Sequence, residues 1–288
     1  MAAARPSGPT TPYDGRVAGP FAEPVVDALD EVWRSIVDAG NGIDAADWDR
    51  PTDCPGWTVR DQLSHLIGIE RTLLGDAAPM LDEAVPAHVK NAIGEMNEAW
   101  VAARRSWPGA EVLAEFQAVT ARRLDQLAGF GPEQFDLVGW SPVGEVPYRE
   151  FMAVRVFDCW AHEQDVRRAL DRPGDRGGAG EATTLDRVDS FLGYVVGRKV
   201  GAPEGTSVVW DVAGPLPRRV ALAVVDGRAR PTAAPDRPTV GFVLDAMTYW
   251  RLGCGRTTAE AALADGAVTV AGDVELGRRV LDAMNVLM

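Results

Sequence analysis

The sequence predicts an α+β protein in two parts, a four-helix bundle followed by a smaller domain that mixes strands and helices. Three observations predict it. Apolar residues recur at three- and four-residue steps through residues 21–170. A Pro/Gly/Asp run, DRPGDRGGAG, then breaks the pattern at 171–180. Beyond it the chain turns to short β-rich pieces. The expected organisation is a flexible leader over 1–20, a helix bundle over 21–172, a linker over 173–183 and an α+β domain over 184–288.

The leader is rich in Pro, Gly, Ala and Thr and has no periodicity; without an apolar run it does not read as a secretory signal. From Phe21 to Gly40, Val25, Leu29, Val32 and Ile36 form one apolar stripe that Trp33 widens. The next helix starts after the Pro55-Gly56 turn, with Thr58 as N-cap and Asp61 completing a capping box. It buries Leu63, Leu66, Ile67, Leu73 and Leu74 before Gly75. Helical patterns over about 87–106 and 110–128 are parted by Trp107-Pro108-Gly109, and residues 129–147 read as a loop. A long helix spans about 148–170. In the second part a helix over about 184–200 precedes SVVWDV, RRVALAVVDGRAR and PTVGFV, with Asp226-Gly227 as a hairpin turn. Helices near 243–252 and 274–287 close the chain, joined through ALADGAVTVAGD.

Composition narrows the function. Lys+Arg number 29 against Asp+Glu 42, a net charge of −13, which excludes general attraction to a phosphate backbone and so a nucleic-acid partner. No run approaches the ~18 apolar residues of a membrane span. Three separated cysteines are not a disulfide framework and suit the cytoplasm.

Only three histidines are present. In RVFDCWAHEQDVRRAL, Asp158 and His162 stand four residues apart, so both leave one helix face a turn apart. Such a pair is half a metal site, and His65, mid-helix among Leu63, Leu66 and Ile67, is the candidate third ligand. Two histidines and one carboxylate leave an open position, as in catalytic zinc sites. The same spacing also suits an exposed intrahelical hydrogen bond, and a core histidine is often simply packed. Asp165 reads as solvated, with orientation of His162 as its alternative role. His88 reads as a surface residue, Asp61 as a helix-start residue, and Cys159 as packing because it projects about 100° away from Asp158. Trp57 and Trp160 read as bundle walls, and Cys54 and Cys254 carry no assigned role.

The segments CPGWTVRDQLSHLIG and RVFDCWAHEQDVRRAL resemble the actinobacterial mycothiol-dependent maleylpyruvate isomerase family. The resemblance implies a DinB-like bundle, and the stretch YWRLGCGRTTAEAALADGAVTVAGDVELGRRVLDAM is similar to the sterol-carrier-like domain often fused behind it. It implies zinc on His65, Asp158 and His162, with nickel, iron or cobalt as other divalent occupants. Asp158 departs from the family's glutamate by one methylene. The implied cosubstrate is mycothiol, its sulfur activated at the metal for isomerisation or S-transfer on a small electrophile. Arg60, Arg71, Arg155 and Arg167 lie near the motifs and read as surface ion-pair residues. The alternative is a non-catalytic protein that binds metal or a small apolar ligand.

Overall fold

The structure, a computed structural model, describes residues 22–81 and 84–286; the expected leader lies outside them. Four helices close a ring in which each packs on two others: α1 (Pro24–Gly40), α2 (Val59–Leu73), α4 (Gly109–Ala128) and α6 (Tyr148–Ala169). Their sequences explain their ends. Pro24 opens α1, where its missing N–H costs nothing. Thr58 and Asp61 cap α2 reciprocally, as the sequence predicts. The stripe of Leu29, Val32, Trp33 and Ile36 is buried against α6 and α4.

Two elements depart from expectation here. Helix α3 is shorter than 87–106 and runs Ala92–Ala102, because Asn91 caps it, its Oδ1 accepting from the Gly94 N–H at 2.9 Å. The stretch 129–147 is not plain loop. It forms a turn of helix, α5 (Pro132–Asp136), and a hairpin of β1 (Val138–Ser141) and β2 (Gly144–Pro147). Gly144, at φ 111°, supplies the left-handed residue that the tight turn requires.

The second part is a five-stranded sheet in the order β5-β4-β3-β6-β7, formed by β3 (Ser207–Ala213), β4 (Arg218–Val225), β5 (Arg228–Pro231), β6 (Val240–Asp245) and β7 (Val268–Gly272). The β3–β6 pair is parallel and the others antiparallel. Asp226 and Gly227 turn the β4–β5 hairpin, both with positive φ. Helices α7 (Ala179–Tyr194), α8 (Ala246–Gly253) and α10 (Val274–Ala283) pack against the sheet. The stretch ALADGAVTVAGD is more than a connector: it holds the end of α9 (Ala259–Ala264) and all of β7. Five residues sufficed for an edge strand because β6 was already there to pair with.

Helix α7 begins at Ala179, inside the expected linker, and the reason is Glu181. That fully buried carboxylate accepts from Arg176 and from the Gly177 N–H, and so pins the Pro/Gly run. The two parts meet through Trp160 of α6 and Trp250 of α8, ring centroids 5.7 Å apart and edge to face. Gly180 permits this approach, since a Cβ there would lie 2.5 Å from the Trp160 ring. Beside them Arg256 grips both oxygens of Asp165, with Nε at 3.1 and 3.0 Å and Nη2 at 2.9 Å. Asp165 is therefore not the solvated residue the sequence suggests. It is 0% exposed because a guanidinium from the second domain neutralises it.

Removing one partner of that pair leaves a buried charge. Arg256→Leu should lower unfolding stability in urea by about 3–5 kcal/mol, and Asp165→Leu in the same chain should recover part of the loss. A loss below ~1 kcal/mol for the single variant would mean that the pair does not hold the domains.

Candidate metal centre

Helix α2 carries His65 and α6 carries Asp158 and His162, and the packing of the two helices brings the three together. His65 Nε2 lies 3.3 Å from Asp158 Oδ2, and His162 Nε2 lies 3.5 Å from Asp158 Oδ1. The imidazole centroids are 4.7 Å apart, and one ligand atom from each residue falls within 4.8 Å of the other two. A tetrahedral ion with bonds of ~2.0–2.1 Å has ligand–ligand edges of about 3.4 Å. The two nearest separations match that edge, and the nitrogen and oxygen donors suit zinc or another first-row divalent ion. The residues present fit a metal.

Electrostatics favour the ligating forms of two members. Burial pushes the His65 ring down to about 4, with Asp158 pulling only partly the other way, so the ring is neutral near pH 7. Burial works to raise the Asp158 carboxyl, but the Arg155 guanidinium and the two imidazoles hold it well below the carboxylate range. Burial also disfavours a charged His162, yet Asp158 and Asp165 raise it above the ordinary histidine value.

Arg155 corrects the sequence reading: it is buried rather than a surface residue. One nitrogen bonds Asp158 Oδ2, while Nε and Nη2 hold Glu70 Oε1 at 2.9 and 2.7 Å. Glu70 Oε2 in turn accepts from the fully buried Arg123 at 3.1 Å. A chain of alternating charge thus runs from α4 through α2 to the Asp158 carboxylate, and each member satisfies its neighbour. Its sequence signals were the three-residue step from Arg155 to Asp158 and an unexplained Glu70 on the buried helix of His65.

Trp57 walls the site, its ring centroid 5.0 Å from His65 and 5.8 Å from His162. Its Nε1 donates to Glu98 Oε2 at 3.1 Å, and Glu98 is fully buried. His88 meets the same oxygen at 3.1 Å with its side chain only 24% exposed, so it braces the Trp57 wall rather than lying on the surface. Arg60 pairs with Asp49, Arg71 with Asp76 and Glu115, and Arg167 with Glu163, all ion pairs as the sequence suggests, although Glu163 is buried. Asp61 acts as the helix-start residue.

A second grouping of Cys54, His162 and Asp165 also lies within 4.8 Å. Arg256 already occupies both Asp165 oxygens, so a guanidinium closes this grouping to a further cation. Burial pushes the thiols up, Cys54 to about 11 and Cys159 and Cys254 to about 12, so none is a thiolate near neutral pH. Cys159 packs as expected and accepts from Trp33 Nε1 at 3.2 Å.

Residues 29–167 match the family model of the mycothiol maleylpyruvate isomerase N-terminal domain. A crystal structure of a mycothiol-dependent maleylpyruvate isomerase superposes with a TM-score of 0.54 at 15% identity, covering 86% of this chain and 92% of that one. An uncharacterised protein of Mycobacterium tuberculosis (strain H37Rv) is 28% identical over 128 residues, 43% of this chain and 47% of that protein. The chain spans about half the length of the curated relatives it matches. A sterol carrier protein 2-like structure from Aedes aegypti covers 35% of this chain and 92% of its own, at 14% identity and a TM-score of 0.27.

Proton competition at this centre has a defined sign. His162, raised above the ordinary 6.5, takes up a proton first as pH falls, while His65 stays neutral down to about 4. Zinc affinity, measured against a competing chelator, should therefore fall roughly tenfold per pH unit once pH drops below the titration of His162, with a steeper second limb only near His65's own range. An affinity flat between pH 8 and pH 5 would remove His162 from the ligand set.

Proposed function

We propose that this chain, whose N-terminal domain belongs to the mycothiol maleylpyruvate isomerase N-terminal domain family, is a mycothiol-dependent metalloenzyme. His65, Asp158 and His162 hold a divalent ion, zinc foremost. The observation that carries the reading is three ligand atoms from two helices within 4.8 Å, with one ring kept neutral and one carboxylate kept ionised. When bound, such an ion supplies the Lewis acidity that turns a coordinated thiol into a thiolate near neutral pH.

The chain's residues prepare that chemistry. Arg155 keeps Asp158 anionic and fixes one of its oxygens, leaving the other to face His162. Burial keeps a lone pair free on His65. Trp57 covers the imidazoles on one side and limits water there, while Asp158, 26% exposed, marks the side open to solvent and reactants. The protein's own thiols are buried and protonated, so the attacking sulfur comes from a cosubstrate. Addition of that sulfur to an activated alkene, rotation and elimination would be isomerisation of the maleylpyruvate type. Attack with retention of sulfur on a small electrophile would be S-transfer. Free, buried cysteines suit work in the cytoplasm.

Protein purified without a histidine tag should hold close to one equivalent of metal by plasma mass spectrometry, and His65→Ala should lose it while keeping its circular dichroism. Metal-loaded protein given mycothiol and maleylpyruvate should then form the isomer without net thiol loss, whereas stoichiometric thiol loss with an electrophile would select S-transfer. No metal in either protein after zinc is added back and excess removed would sink the reading.

A further inference from the structure

An imidazole ligates a metal only through the nitrogen that carries no proton, and the partner of the other nitrogen sets which one that is. His162 turns Nε2 towards Asp158 and Nδ1 towards α2. There Gln62 Oε1 lies 2.5 Å from Nδ1, and Gln62 is 0% exposed. It stands three residues before His65, so one face of α2 presents both a candidate ligand and a contact to the second ring.

The far end of the amide decides its orientation. Gln62 Nε2 lies 2.6 Å from Thr52 Oγ1. The Thr52 hydroxyl lies 2.9 Å from the Trp57 carbonyl oxygen and 3.3 Å from the Cys54 N–H. A carbonyl only accepts and a backbone N–H only donates. The hydroxyl therefore gives its one proton to Trp57 and accepts from Cys54 and from the Gln62 amide nitrogen. This turns the Gln62 carbonyl towards His162, and Nδ1 must donate to it. Asp165 does not compete for that proton: its nearest oxygen is 3.6 Å from Nδ1, and Arg256 grips both of its oxygens.

We infer that Gln62 and Thr52 are positioning residues, forming a relay from the Trp57 carbonyl that fixes His162 as its Nδ1–H tautomer and leaves the Nε2 lone pair facing Asp158 and His65. The loop that supplies the Trp57 wall thereby also sets, through Gln62, the bonding state of a ring 100 residues beyond that glutamine in sequence. The metal consequence rests on the function proposed above; the tautomer does not.

Two measurements on the full chain test it. With three histidines in the sequence, nitrogen-15 spectra of the imidazoles are readily assigned by comparison with His162→Ala. In metal-free wild type above the titration of His162, the ring should carry its proton on Nδ1. Gln62→Leu should shift the ring towards the other tautomer and weaken zinc binding by about 10–100-fold, and Gln62→Glu, which keeps an acceptor, should restore both. Should Gln62→Leu fail to fold, Thr52→Val breaks the relay one bond further out and should mix the tautomers. A wild-type ring protonated on Nε2 would overturn the inference, as would a folded Gln62→Leu with unchanged tautomer and zinc affinity. Wild type that binds no zinc but shows the Nδ1 proton strikes the metal reading and upholds the relay.

Discussion

The structure depends on one constraint: the middle of α6 is buried and yet rich in charged and polar side chains. Every residue from Cys159 to Val166 is buried, including His162, Glu163, Gln164 and Asp165, and Arg155 is buried a turn before them. A stretch so enclosed has no polar face to give to water, and an unpaired charge in it costs several kcal/mol. Each polar side chain must find its partner on a neighbouring element. Ser35 of α1 meets Glu163, Glu70 and His65 of α2 meet Arg155 and Asp158, and Arg256 from the second domain meets Asp165. The bundle's packing and its polar network are therefore one problem with one solution.

That network also explains why the site lies where it does. Most ionised groups along α6 are matched by an opposite charge, as in Arg123–Glu70–Arg155 and Arg256–Asp165. The cluster of His65, Asp158 and His162 is different, because it combines one carboxylate with two rings whose Nε2 atoms both turn towards it. His65 Nδ1 is buried with no hydrogen-bond partner, a cost that orientation of Nε2 towards Asp158 imposes. Donor atoms gathered within 4.8 Å of one another are what a cation would stabilise, whereas the neighbouring Cys54 grouping is already balanced by Arg256.

The second domain takes part in this arrangement. Trp250 packs on Trp160, Arg256 enters the bundle, and Arg251 joins Arg168 on Asp53, the residue beside Cys54 in the loop that leads to Trp57. These contacts reach α6 at Trp160 and Asp165, on either side of His162 in sequence, and also reach the Trp57 loop, so the sheet domain buttresses the elements that shape the site.

Local physics settled much of this from the chain alone. The apolar stripe of α1, the capping box at Thr58 and Asp61, the Asp226-Gly227 hairpin and the shared face of Asp158 and His162 follow from backbone periods and hydrogen bonds spanning a few residues, which sequence spacing encodes directly. The mid-helix place of His65 already made it the candidate third member, and the resemblance of the PGW and acid-x-x-x-His segments pointed to the same residue. What the sequence could not decide was burial and partnership. Arg155, Asp165 and His88 read as surface residues because polarity is their default address, and only the enclosure of α6 buried the first two, while buried Glu98 drew His88 into a half-buried place. Strand β7 was hidden for a similar reason, since a five-residue edge strand exists only where another strand's open hydrogen bonds await it. Gln62 carried no signal beyond its place one turn before His65; its role arises from a threonine ten residues upstream and a histidine on another helix. Such pairings are fixed by the global requirement that most buried donors and acceptors be met, and that requirement can be evaluated only in three dimensions.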